Sequence, residues 1–495
     1  MAALVANDGD GNLIPDLAER VPTLENGGAR WVGTDAERHL EVTFTLRPDA
    51  RWSDGRGVTA ADVLLSWHLA LQSGDGQEVN TVRRIERIET PDPRTVRLRF
   101  FSERSAREAA ARTPNEYGFL EDQVGAALDR SYARGLPGAW IYPAHLFPDR
   151  DPRETLDELL ARKGYDRAPV GAGPYRLLSA SGGEIVLEAR PEYHRGSPAI
   201  RRVIVRPLAG AARVLELSSG RIDLAQFDGA DAGGLDALRA SAEVTVGPIV
   251  ATADHEVLRF RPGSTALRDR RVRLAIAALV DREALATERF GARAAVVAVA
   301  AVPTIATRDV ARAERLLREA AWTPGNVDVP GRGEETPTLR LLTTDDAPRR
   351  RTAELLAAQL APHQIRLDAR FISARTLFAA AGPLRAGEYD LTLHGVVGAD
   401  DPADDLIGPW IPALTEVRPV DSRIALLPGR LDAAIEEAAL NDVRRAEGEL
   451  RDEILPEVPL FAYPRVVAHR ADLRGPAAPA RAIGLTWNAA TWARP

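Results

Sequence analysis

Eight histidines, no cysteine and 71 acidic residues are the raw material for chemistry in this 495-residue chain. His39, His68, His145, His194, His255, His363, His394 and His469 are scattered, with no His-x-x-x-His and no Glu-flanked pair, so zinc and hydrolytic metal chemistry find no support. Without cysteine there are no disulfides, no thiolate metal sites and no thiol catalysis. A Gly-x-Ser-x-Gly elbow, a Walker loop and a dinucleotide fingerprint are all absent from the sequence. Asp8, Asp10, Asn12 and Glu19 imitate the spacing of a calcium loop. Leu13, however, stands where such a loop needs glycine, and no helix precedes it, so a β-hairpin turn is expected. These residues predict no metal, no cofactor and no enzyme.

Other residues suit binding better than catalysis. Asp400-Asp401-Pro402 follows YDLTLHG (389–395), with Asp404 and Asp405 just beyond, the composition of a solvated acidic loop. Trp410 lies in IGPWIPAL, and Arg259 and Arg261 lie in LRFRPG. His394 ends the strand before Asp400.

The elements that would position these residues are legible in the patterning. LEVTFTLR (40–47) puts Leu40, Val42, Phe44 and Leu46 on one face, a half-buried strand. Thr59, with Asp62 three residues on, opens the helix AADVLLSWHLALQ. IERIETPDPRTVRLRF reads as two strands joined through residues 91–94. EIVLEAR, RRVIVRPL and RIDLAQF are further strands, and residues 211–219 a helix. RDRRVRLAIAALVDREALATERF and RDVARAERLLREAAW carry apolar residues at helical spacing. TLRLLTT, RTAELLAAQLAPH and IRLDARFI then alternate strand, helix and strand, which predicts an α/β unit with partly parallel pairing.

A chain of this length exceeds one core, so two or three domains are expected. The formal net charge of -7 is spread along the chain, and Lys163 is the sole lysine. The densest basic run, Arg349-Arg350-Arg351, reads as a solvated helix start, so nucleic acid is not an expected partner. The longest apolar run, 294–303, is too short to cross a membrane. Residues 1–6 show neither a basic n-region nor a cleavage site.

Several segments share a pattern in the same order. GNLIPDLAERVPT (11–23), VTFTLRPDARWSDGRGVTAADVLLSW (42–67), IYPAHLF (141–147) and GAGPYRL (171–177) are followed by LRDRRVRLAIAALVDREAL (267–285). ARAERLLREAAW (311–322), ILPEVPLFAYPRVVA (454–468) and WNAATW (487–492) complete the series. Together they resemble family 5 of the extracellular solute-binding proteins, the dipeptide-, oligopeptide- and nickel-binding subunits of ABC importers.

The resemblance implies an α/β, bilobed periplasmic-binding-protein type II fold with an extra domain, three domains in all. Residues 1–168 would hold the extra domain with the chain start of lobe I. Residues 169–250 would form a discontinuous lobe I completed by 467–495, and 251–466 would form lobe II. It also implies a leading segment ahead of residue 1, so the N-terminal part is expected to be truncated. Gly171, Gly173 and Pro174 are hinge candidates, with residues 463–467 beside a second hinge strand. The expected role is to capture a peptide or similar polar solute and deliver it to a permease. Such a protein would be a monomer, periplasmic or extracellular, and membrane-tethered.

The resemblance assigns a role to Asp400, and the other site roles are read from the residues and their placement. Asp400 occupies the family position whose carboxylate meets a peptide's α-ammonium, a strong contact when desolvated and hydrogen-bonded, with Asp401 beside it. Trp410 could floor a side-chain pocket, or pack on its own lobe. Arg259 could meet a ligand carboxylate with its guanidinium fork, or lie on the surface. His394 would stand near the ligand, or be a core histidine. The alternatives are a ligand-sensing domain of a transcriptional regulator with the same fold, and a peptidase or esterase for which no residue stands out.

Overall fold

The computed structural model describes residues 2–8, 12–72, 82–112, 136, 140–151, 154, 156–162, 164–165, 167–228, 232–261, 264–302, 306–322, 338–378, 382–396, 455, 457–478 and 484–495. The first strands, β1 (Val5–Asn7) and β2 (Leu13–Pro15), pair antiparallel, and Asn12 N donates to Asp8 Oδ1 at 2.8 Å. The stretch that imitates a calcium loop is thus flanked by a hairpin, as turn chemistry predicts.

An antiparallel sheet in the order β3-β4-β6-β5 follows, built from β3 (Ala29–Val32), β4 (His39–Thr45), β5 (Ile85–Asp92) and β6 (Thr95–Phe100). Leu40, Val42, Phe44 and Leu46 all point into its core, which matches the alternation in the sequence. Helix α1 (Ala60–Gln72) starts where Thr59 N donates to Asp62 Oδ2 at 2.7 Å. Asp62 is buried and also accepts from the Trp52 indole and from Ala144 N. A carboxylate in that position ties turn, helix and a distant loop to one another.

A three-stranded meander, β7 (Tyr175–Ser181), β8 (Glu184–Ala189) and β9 (Arg202–Val205), joins this body at a joint centred on one buried side chain, with Tyr193 and His194 also reaching Asp16. Arg190, 2% exposed, donates from Nε to Glu192, from Nη1 to the Gly171 and Gly173 carbonyls, and from Nη2 to the Arg51 and Trp52 carbonyls. The backbone reinforces the joint, since Ser53 N donates to Gly171 O.

The largest sheet is mixed. It comprises β10 (Leu224–Asp228), β11 (Val244–Val246), β12 (Val250–Phe260), β13 (Thr338–Thr344), β14 (Arg366–Ile372), β15 (Leu391–Val396) and β16 (Glu457–Arg470). The order is β10-β16-β12-β15-β13-β14, with β11 also on β16. β13 runs parallel to both β14 and β15, as the strand–helix–strand pattern requires, and the other pairings are antiparallel.

Helices α2 (Arg270–Leu279), α3 (Arg282–Phe290), α4 (Ala292–Ala300), α5 (Val310–Glu319) and α6 (Ala347–Leu360) accompany this sheet. The periodicity of RDRRVRLAIAALVDREALATERF continues across a break between α2 and α3. Asp281 makes the break by capping α3, accepting from Ala284 N.

β16 spans two cores. Val458, Leu460 and Phe461 pack with α2–α6 and with Leu258 and Phe260 of β12, whereas Val466 and Ala468 pack with Leu217, Phe227 and Leu235. One strand therefore couples two hydrophobic bodies.

Candidate functional site: the break between the two long strands

β12 and β16, of 11 and 14 residues, pair on both sides of an interruption. Ala251 pairs with Pro464, and the next register pair is His255 with Ala462. Thr252, Ala253 and Asp254 thus lie opposite the single residue Tyr463. Pro464 has no N–H to offer a ladder, which favours the interruption here. Side chains bridge it: Thr252 Oγ1 donates to Tyr463 O at 3.0 Å, and Arg465 pairs with Asp254 at 3.0 Å. A register shift of this kind disrupts the ladder and bends the strand locally.

A buried polar cluster sits just beyond the break. Glu256 of β12, 2% exposed, accepts a fork from Arg349 in the first turn of α6, with Nε to Oε1 at 2.8 Å and Nη2 to Oε2 at 3.2 Å. Arg349 Nη1 donates to Thr344 Oγ1 at 2.7 Å and to Asp346 Oδ2 at 3.4 Å, and Nη2 donates to Tyr463 Oη at 3.3 Å. The Tyr463 hydroxyl in turn donates to Glu256. Every N–H of this guanidinium is engaged. Asp346 also caps α6, accepting from Arg349 N at 2.9 Å, so the helix start fixes where the arginine emerges.

Gly395 of β15 makes room for the cluster. A Cβ there would stand 2.9 Å from Arg349 Nη2 and 3.2 Å from Tyr463 Oη. Electrostatics follow the geometry. Burial, then the Glu256 carboxylate, push the Tyr463 hydroxyl above its ordinary range. Burial opposes the charge on Arg349, but Glu256 outweighs it and raises that group's pKa. Burial likewise opposes the Asp346 carboxylate. The Thr344 hydroxyl, the Arg349 amide and the charges of Arg349 and Arg289 outweigh it and hold Asp346 below the usual carboxylate range.

Strand alternation puts His255, Val257 and Arg259 on the other face, in register with Val396, His394 and Thr392. Arg259 donates from Nε and Nη2 to Glu457 Oε2 at 2.9 and 2.7 Å. His394 is 8% exposed, and its buried Nδ1 has no hydrogen-bond partner. Its ring meets Phe378 edge to face, with centroids 6.2 Å apart. Burial, then Arg259, Arg349 and His255, bring its pKa down to about 3, so the imidazole is neutral at physiological pH.

Of the residues singled out from sequence, His394 and Arg259 share this face, and Arg259 is ion-paired with Glu457 through Nε and Nη2. Asp400, Asp401 and Trp410 lie outside the described residues. Gly171, Gly173 and Pro174 lie elsewhere, at the joint held by Arg190, whose backbone N–H donates to Pro174 O at 2.9 Å.

The arginine run departs from its reading as a solvated helix start. Arg350 and Arg351 are exposed and pair with Asp345 and Glu288, but Arg349 turns inward. Glu256 was not singled out, although a trace exists: it shares strand parity with Leu258 and Phe260, an acid at a core-facing position.

Comparison with known proteins bears on what this arrangement serves. The model of the bacterial extracellular solute-binding proteins, family 5 (middle), matches residues 12–413. Protein XP55 of Streptomyces lividans is 28% identical over 357 residues, covering 68% of this chain and 55% of that protein. The probable D,D-dipeptide-binding periplasmic protein DdpA of Escherichia coli is 30% identical over 218 residues, covering 44% of this chain and 36% of its own length. The matched stretches thus span about half of the first relative and about a third of the second. Among solved structures, NikA of Brucella suis, in complex with Fe(III)-EDTA, superposes with a TM-score of 0.73 at 19% identity. That superposition covers 100% of this chain and 94% of NikA, and it shows the shared α/β fold of the type II periplasmic binding proteins.

Proposed function

The chain belongs to the bacterial extracellular solute-binding proteins of family 5, and from that membership we propose that it captures a peptide or similarly sized polar solute between two lobes and delivers it to the permease of an ABC importer. One observation carries the proposal: the ladder between β12 and β16 is interrupted at Thr252–Asp254 and Tyr463, beside a buried polar cluster. A closing protein needs a compliant crossing between rigid bodies, and a ligand biases closure only by contacting both sides differently in the two states. Strand β16, which enters both cores, supports lobes that meet here.

The domain division stays as the sequence suggests, with 1–168, 169–250 completed by 467–495, and 251–466. Gly171, Gly173 and Pro174 remain proposed hinge residues, beside the joint where Arg190 gathers the Gly171 and Gly173 carbonyls between the first body and the β7–β9 meander. The interrupted ladder supports a pivot at Thr252–Asp254 and Tyr463. Asp400 remains the proposed anchor for an ammonium group, with Asp401 beside it and Trp410 as a pocket floor. The E. coli relative is named for dipeptide binding, and a peptide is the solute class we favour. Binding requires no covalent step, resident metal or cofactor, so no enzymatic activity is proposed.

The protein would work as a monomer, outside the cytoplasmic membrane and tethered to it. No helix among the described residues is long and apolar enough to cross a membrane. The ligand-sensing alternative gains nothing from the relatives.

Native mass spectrometry of the purified protein tests the reading. A carried-over peptide, or a rise in melting temperature with a peptide pool, is expected. Retention of no solute and no stabilisation by any peptide would contradict it.

A further inference from the structure

The guanidinium expected to meet a ligand carboxylate, Arg259, already pairs with Glu457, donating from Nε and Nη2 to one carboxylate oxygen at 2.9 and 2.7 Å. Arg349, at the centre of the polar cluster, has every N–H engaged. A third arginine reaches the same cluster with its donors unspent. Arg289, the penultimate residue of α3, lies with its guanidinium carbon 6.0 Å from the Tyr463 ring centroid and 5.8 Å from that of Phe290. Its Nη1 is buried and has no hydrogen-bond partner. Among the described residues no carboxylate pairs with it, whereas nearby Arg293 pairs with Asp236 and Arg351 with Glu288.

A buried donor left without an acceptor is costly, so such a group either finds a partner or marks where one arrives. The ring contacts lie near the outer limit of cation–π attraction, about 6 Å, and do not replace hydrogen bonds. Glu256 does not accept from it: Oε1 takes Arg349 Nε, and Oε2 takes Arg349 Nη2 and the Tyr463 hydroxyl. The charges of Glu256, Asp346, Arg349 and Arg289 sum to zero. What Arg289 offers is therefore short-range and directional, through unused N–H groups, and not a diffuse positive field. Arg289 is only half-buried, which leaves it approachable from solvent.

We propose that Arg289 is a ligand-anchoring residue that donates to an oxyanion of the captured solute, in the favoured case the free C-terminal carboxylate of a peptide. The inference rests on the solute-binding reading and narrows its substrate class to molecules bearing an exposed carboxylate. Because Arg289 lies against Tyr463, the residue opposite the ladder break, a carboxylate bound there would sit beside the pivot and couple binding to closure.

The test uses the full chain and two synthetic pools of tri- to pentapeptides, identical except that one ends in free carboxylates and the other in amides. Affinity is read by calorimetry, with Arg289→Gln and Arg289→Lys beside wild type and Arg293→Gln as a surface control. Wild type and the control are expected to favour the free acids by about tenfold or more, Arg289→Gln to lose that preference while still binding amides, and Arg289→Lys to retain part of it. Equal binding of acids and amides by wild type, or an undiminished preference in a folded Arg289→Gln, overturns the assignment and leaves solute capture standing. Binding of neither pool by any of the proteins removes the inference together with the reading beneath it.

Discussion

Glu256 and Arg349 form a buried two-point ion pair, at 2.8 and 3.2 Å, that joins a strand crossing to the first turn of a helix 93 residues further along the chain. Glu256 is almost fully enclosed, and the Arg349 side chain keeps one fifth of its exposure. Desolvating two charges is costly in itself, so the pair is not evidence of stability. Its value is positional: it fixes Tyr463, the residue at the interruption, against α6.

Removing one partner leaves the other charged and enclosed. Glu256→Gln keeps the shape and is expected to cost about 2–4 kcal/mol, below the range for fully buried pairs because water still reaches Arg349. Guanidinium denaturation read by tryptophan fluorescence checks it. An unchanged midpoint would mean that the pair is solvated in solution.

Gly395→Ala puts a methyl group 2.9 Å from Arg349 Nη2 and 3.2 Å from Tyr463 Oη. The cluster must shift, at an expected cost of about 1–3 kcal/mol. In an Arg349→Met background the penalty should shrink, and a double-mutant cycle reads that coupling. Full additivity would place the strain elsewhere.

Arg190→Lys retains charge but has three donors for five acceptor contacts. Buried carbonyls left unpaired predict a loss of about 2–4 kcal/mol. Faster limited proteolysis within 171–174 is the sharper sign, since it reports release of that joint.

His394 sets a pH dependence. In the unfolded chain it takes up a proton near its ordinary value of 6.5, and in the folded chain only at about 3. Between those values the unfolded state holds more protons, so stability rises with pH. The contribution is complete above pH 6.5 and is lost as pH falls, by at most about 1.4 kcal/mol per unit. His394→Gln should flatten the curve in that window. An identical slope in the variant would show that His394 titrates normally in the fold.

Local features were legible in the sequence because neighbours in the chain determine them. The alternation of Leu40, Val42, Phe44 and Leu46, the Thr59–Asp62 cap and the parallel β13–α6–β14 unit all emerged as patterned. The site was less legible. Glu256, Arg349 and Tyr463 come from three distant segments, and Tyr463 lies 207 residues from Glu256. No periodicity announces a register shift, and a run of three arginines does not show which one turns inward. Arg190 has the same character, since its acceptors are carbonyls that any residue carries.

Small-angle scattering of the full chain, with and without a saturating peptide pool, tests the closing motion most directly. A smaller radius of gyration with peptide, at unchanged molecular mass, is the expected result. Superimposable profiles, under conditions where calorimetry shows the peptides bound, would contradict a pivot at the β12–β16 interruption.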